Sequence, residues 1–150
     1  MKSLELRRHA KRDPKQDRLS PEGRVQAEDV GRSMSGTYVL VFVSPATRAA
    51  ETAAWFLRGM GAQLPDHAIV PGLAGIEPGD PSPDGMARTV RELLTRIPVG
   101  GLGLAIGHTP LIEHAALGLT GSTIEPLAEC EGILVTQEGD DVRVEELRRG

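Results

Sequence analysis

Leu4-Glu5-Leu6-Arg7-Arg8-His9-Ala10 is the stretch from which the rest of the chain is read. Leu4 and Leu6 alternate with Glu5, the period of a short strand. A strand that runs into Arg-Arg-His delivers two guanidiniums and an imidazole to the end of a sheet. That edge is where open α/β folds bind their ligands. Guanidinium forks match phosphate oxygens, and imidazole titrates near neutral pH. Taken alone, a basic residue beside a histidine at a strand end is more often a solvated terminus. Two later segments give it meaning: Ser44-Pro45-Ala46-Thr47-Arg48 and Gly107-His108-Thr109-Pro110.

Outward from residues 2–7, the first strand, the chain alternates. Residues 10–19 are polar, charged and broken by Pro14, and read as a loop. Ser20-Pro21-Glu22-Gly23 opens a helix to about Met34: serine caps, proline fits the first helical position, and glutamate sits in the first turn. Residues 38–43 form a nearly continuous apolar run, as in a strand buried on both faces. Ser44-Pro45 repeats the helix-start signal ahead of the stripe Ala46, Ala49, Ala50, Ala53, Leu57, Met60, and Gly59 and Gly61 end it. Residues 68–70 suit a short strand, and 71–81 a loop rich in Pro and Gly. Ser82-Pro83-Asp84 starts a third helix with Met86, Val90, Leu93, Leu94 and Ile97 on one face, stopped by Pro98. Residues 102–106 are another buried strand, and Thr109-Pro110 starts a fourth helix. Residues 131–137 and 142–147 close the chain as a hairpin around Gly139-Asp140-Asp141. This alternation predicts an α/β sandwich with a mostly parallel central sheet.

The four hydroxyl–proline pairs have a mechanical basis. The residue before proline is pushed into the β region, which is the conformation of an N-cap. Two pairs follow buried strands and are expected to aim free helical N–H groups at the edge where Arg8 and His9 end.

With 150 residues the chain is read as one domain, 1–150, with a sizeable core. Its net charge of −4 and aromatic content of 3% argue against a nucleic-acid partner, although residues 1–18 carry seven basic and three acidic side chains. One cysteine, Cys130, excludes an internal disulfide and is consistent with a reducing compartment. No apolar run reaches the length of a membrane span, and no apolar signal core follows the start. The expectation is a soluble cytoplasmic protein with no membrane partner.

Arg8, Arg48 and His108 come from three distant segments and together make a pocket for a dianion, usually phosphate. His9 then stands at the reacting phosphorus. A neutral imidazole nitrogen can attack in line and carry the phosphoryl group, while the cationic groups hold the equatorial oxygens.

These segments resemble the histidine phosphatase superfamily, also called phosphoglycerate-mutase-like. That family carries Arg-His-Gly at the end of its first strand, then Ser-Pro-x-x-Arg-Ala-x-x-Thr, then a later Gly-His. Here the matches are Arg8-His9-Ala10, Ser44-Pro45-Ala46-Thr47-Arg48-Ala49-Ala50-Glu51-Thr52 and Gly107-His108; Leu19-Ser20-Pro21-Glu22-Gly23 with Gln26-Ala27 resembles a further segment. The resemblance implies a three-layer sandwich, with His9 as nucleophile and Arg8, Arg48 and His108 as the phosphate pocket. It is greatest for the short phosphohistidine phosphatases. Ala10 replaces the usual glycine and is expected to narrow the approach to the phosphate. The asparagine that many members place soon after is absent, and Arg12 is a candidate to bind the phosphate instead. The general acid implied by the family falls on Glu77, or else Asp80, in the 71–81 loop.

The short loops leave little to build a lid. That favours phosphohistidine on a protein over a small phosphorylated metabolite. A phosphomonoesterase of small molecules and a phosphoglycerate mutase-like enzyme are the alternatives, and a non-catalytic module for phosphorylated ligands is the alternative of another class. No cofactor or metal is expected: the four histidines lack matching carboxylate spacing. His67, His114, Cys130, Glu51 and Thr52 are read as packing, loop or surface residues.

Overall fold

The computed structural model describes residues 1–149. Six strands form one sheet in the order β3-β2-β4-β1-β5-β6: β1 Lys2–Arg8, β2 Leu40–Val43, β3 Ala68–Ile69, β4 Leu102–Gly107, β5 Gly132–Glu138 and β6 Asp141–Leu147. The helices are α1 Pro21–Ser33, α2 Thr47–Gly59, α3 Pro83–Arg96 and α4 Leu111–Thr120. β1, β2, β3 and β4 run parallel, and the closing hairpin is antiparallel, β5 against β1 and β6 against β5.

The apolar strands are covered on both faces. Val41, Val43, Leu104 and Ile106 pack on one side with Ala27 and Val30 of α1 and Ala53, Phe56 and Leu57 of α2. Leu4, Leu6, Phe42 and Ala105 pack on the other with Val90, Leu93 and Leu94 of α3 and Ile112, Ala115 and Ala116 of α4. This alternation of inward faces makes the three-layer sandwich. Parallel pairing aligns Arg8 with Gly107 and Val43 with Ile106, so β1, β2 and β4 end at one level.

The helix starts divide into two kinds. Ser20 and Ser82 cap as expected, each accepting from the N–H three residues on, Gly23 or Gly85, at 3.0 Å. Ser44 and Thr109 do not cap. α2 begins at Thr47 and α4 at Leu111, with no side-chain cap from their own preceding residues. Part of the 71–81 loop is ordered as a 3-10 turn, Pro71–Ala74. Among the described residues no helix is long and apolar enough to cross a membrane.

Candidate functional site

At the level where β1, β2 and β4 end, an open cavity of about 450 Å³ is lined by Arg8, His9, Arg12, Arg48, His108 and Glu129, among others. Four of the sequence candidates (Arg8, His9, Arg48 and His108) therefore meet. Arg12 also lines the cavity, but its exposed guanidinium donates to the backbone carbonyls of Asp13 and Gln16 at 3.1 and 3.3 Å.

His9 is 7% exposed. Its Nδ1 lies 2.7 Å from the Ala10 carbonyl, an acceptor only, so Nδ1 carries the proton. That fixes the tautomer and leaves a lone pair on Nε2, toward which Arg48 Nε donates at 3.3 Å. Burial holds the His9 pKa below its ordinary value against the Ala10 hydrogen bond, and Arg48 and Arg8 push it further down. His108 stands edge-on to His9, ring centres 5.3 Å apart. Burial, His9 and Arg48 lower its pKa to about 4. Both rings are neutral at neutral pH.

Each cationic arm is held from outside the cavity. Arg8 Nη1 donates to the Leu127 carbonyl at 2.9 Å, while its buried Nε has no partner in the protein among the described residues. Arg48 Nη1 pairs with Asp17 Oδ1 at 2.9 Å, and the same carboxylate accepts the N–H groups of Thr47 at 2.8 Å and Arg48 at 3.2 Å. Asp17 thus caps α2 and orients its first arginine together. Burial pushes the Asp17 carboxyl up, but these hydrogen bonds outweigh it and hold the pKa below the usual range. The α2 N–H groups expected to be free for a ligand are therefore occupied, which corrects the reading from Ser44-Pro45. Ser44 instead shares a 2.7 Å hydrogen bond with His108 Nε2, and Thr109 donates its hydroxyl to Glu113, which also accepts from Leu127 N–H at 3.2 Å. The two hydroxyls after strands build the site rather than start helices.

Three further readings are corrected. Arg7 does not reach the sheet end with Arg8. Strand alternation turns it to the other face, where Nε pairs with Glu5 at 2.7 Å and Tyr38 donates to the same carboxylate at 2.5 Å. Ala10 does not narrow the cavity, because its methyl is fully buried in the α1/α2 core. Glu77 is exposed and outside the cavity wall, to which its loop contributes Ala74 and Ile76. Asp80 is turned to Ser82 and to Arg88, 2.8 Å away, at the start of α3.

The sequence reading missed Asp17 and Glu129, and took Thr52 for a packing or surface residue. Thr52 accepts the Ala10 N–H at 3.0 Å and donates to the Arg48 carbonyl at 2.8 Å, linking the backbone beside His9 to α2. Glu51 accepts from Leu19 N–H at 2.9 Å and ties down the polar loop. Cys130 is buried, which raises its thiol pKa to about 12 and fits the packing role. His114 contacts the Pro81 carbonyl at 2.9 Å, away from the cavity. Among the described residues no cluster of His, Cys, Asp and Glu is arranged to hold a metal.

No curated protein sequence matches the chain significantly. Solved structures do. A phosphoserine phosphatase from Entamoeba histolytica, in complex with 3-phosphoglyceric acid, superposes with a TM-score of 0.78 at 16% identity, over 100% of this chain and 98% of that one. The protein histidine phosphatase SixA, complexed with tungstate, gives 0.70 at 21% identity, covering 97% and 96%. A phosphoglycerate mutase from Bacillus anthracis gives 0.80 at 13% identity, covering 97% and 92%. At these identities the likeness is one of fold. The family model for the histidine phosphatase superfamily (branch 1) matches residues 4–95, which include Arg8, His9 and Arg48. The chain belongs to that superfamily.

Proposed function

We propose that the protein is a metal-independent phosphatase that works through a covalent phosphohistidine on His9 and acts on phosphohistidine carried by a protein. The observation that carries this reading is the fixed tautomer of His9. The Ala10 carbonyl holds the Nδ1 proton, so a neutral Nε2 with a lone pair stands among Arg8, Arg48 and His108. A module that only bound phosphate would need the guanidiniums and not a nucleophile prepared in this way.

The substrate phosphate enters against Arg8 and Arg48, whose guanidiniums line the cavity. His9 Nε2 attacks phosphorus. The bond to the leaving group breaks, its electron pair stays with the leaving atom, and charge on the equatorial oxygens is met by Arg8, Arg48 and His108. Water then attacks the phosphohistidine, releasing phosphate and restoring the neutral ring.

Two features favour a phosphohistidine substrate. The cavity is open, which suits a phosphate presented on a larger molecule. Glu77 and Asp80 do not line it, and a ring nitrogen leaves without the strong acid that an alkoxide needs. The test is hydrolysis of a phosphohistidine-bearing protein and of p-nitrophenyl phosphate with EDTA present. Preferential turnover of the phosphohistidine is expected. Preference for the aryl ester would point to a phosphatase of small molecules, and loss of activity in EDTA restored by a divalent metal would contradict the metal-free mechanism.

A further inference from the structure

Glu129 is the one acidic side chain among the residues lining the cavity. Its place is built. Arg8 N–H donates to the Glu131 carbonyl at 2.8 Å, Cys130 N–H to the Arg8 carbonyl at 3.1 Å, and Arg8 Nη1 to the Leu127 carbonyl at 2.9 Å. Residues 127–131 are thereby clamped to the end of β1. Cys130 takes a left-handed backbone, φ 67°, immediately after Glu129. The Glu129 carboxylate accepts from Gln26 Nε2 at 3.4 Å, and Gln26 in turn accepts the Lys11 N–H at 2.9 Å. The field of Glu129 is felt at His9, where it opposes the effect of the two arginines.

A carboxylate in a pocket for a dianion is a cost for any phosphate, since like charges repel. It is recovered only by a substrate that brings a hydrogen-bond donor or a positive charge beside its phosphate. Phosphohistidine does: the ring nitrogen not bonded to phosphorus carries a proton when the ring is cationic.

Resting on the phosphohistidine reading above, we propose that Glu129 is a specificity-determining residue whose carboxylate accepts a hydrogen bond from the distal N–H of the substrate's phosphorylated ring. The contact favours the cationic ring. When His9 Nε2 bonds to phosphorus, the phosphorus–nitrogen bond breaks and its electron pair stays on the substrate nitrogen. The ring leaves as neutral imidazole, keeping its distal proton. No proton transfer and no separate acid are needed.

The experiment compares wild type, Glu129→Gln and Glu129→Ala on a phosphohistidine-bearing protein and on p-nitrophenyl phosphate. Inhibition by inorganic phosphate and thermal melting are measured on each protein. Loss of a charge-assisted hydrogen bond predicts a fall of about tenfold or more in kcat/KM for phosphohistidine in both variants. Aryl ester turnover and phosphate inhibition should hold or improve. An equal fall on both substrates, or no change on either, would overturn the role of Glu129 while wild-type preference for phosphohistidine still stood. A wild type that hydrolyses only the aryl ester would overturn the substrate reading itself, and this inference with it.

Discussion

Arg48 is held from two sides, by the His9 lone pair at 3.3 Å and by the Asp17 carboxylate at 2.9 Å. Its guanidinium is paired with a residue 31 positions away in sequence. Asp17→Ala frees the guanidinium and uncaps α2. The cap contributes about 1 kcal/mol to stability. The larger effect should fall on function: about a tenfold rise in the inhibition constant of inorganic phosphate, with Asp17→Asn intermediate because its amide oxygen still accepts from the N–H groups. Unchanged phosphate inhibition in Asp17→Ala would show that Arg48 is oriented without it. Residue types and order were enough to point to Arg8, His9, Arg48 and His108. They were not enough to separate Asp17 from the other charges of residues 10–19, or to single out Glu129, because both act through tertiary contacts with no local pattern. Arg7 was open to a better reading, since alternation along β1 requires it to face opposite Arg8.

At the scale of elements, the hydroxyl–proline pairs show what a local signal can and cannot say. Ser20 and Ser82 have proline at the first helical position and cap their helices. Ser44 directly follows β2 and Thr109 lies two residues beyond β4, where the chain also lines the cavity, and their hydroxyls are drawn to His108 and Glu113. Tertiary demand overrides the capping preference at the two places where the site is built. The α1–α2 packing depends on backbone approach instead. A Cβ on Gly31 would lie 2.1 Å from the Phe56 carbonyl oxygen, and one on Gly59 would lie 2.1 Å from that of Glu28. Neither contact can be relieved by rotating a side chain. Gly31→Ala should therefore destabilise by about 1–3 kcal/mol or more, despite alanine's better helix propensity. Urea denaturation measures it, and a gain in stability would contradict the close packing of the two helices.

At the scale of the molecule, the sheet order places the ends of β1, β2 and β4 side by side; the regular alternation of buried strands and amphipathic helices made a mostly parallel sheet legible, but not the order of its strands. Burial of two neutral histidines at that edge has a consequence for stability. Their folded pKa values lie below 6.5, that of His108 at about 4. The unfolded chain takes up protons as pH falls through 6.5, and the folded chain does so only lower. Stability present above pH 6.5 is therefore lost as pH falls toward 4. The urea midpoint should drop between pH 7.5 and 5, and the drop should shrink in His108→Asn. An equal drop in that variant would place the acid sensitivity elsewhere.

Whether the phosphoryl group passes through His9 is decided by rapid acid-free quenching during turnover of p-nitrophenyl phosphate. The expected result is an acid-labile, alkali-stable phosphoryl group that maps to His9 by mass spectrometry. His9→Ala is expected to form no such adduct and to have no turnover, yet still to bind phosphate. Turnover retained in His9→Ala, or a phosphoryl group found on another residue, would contradict passage through His9.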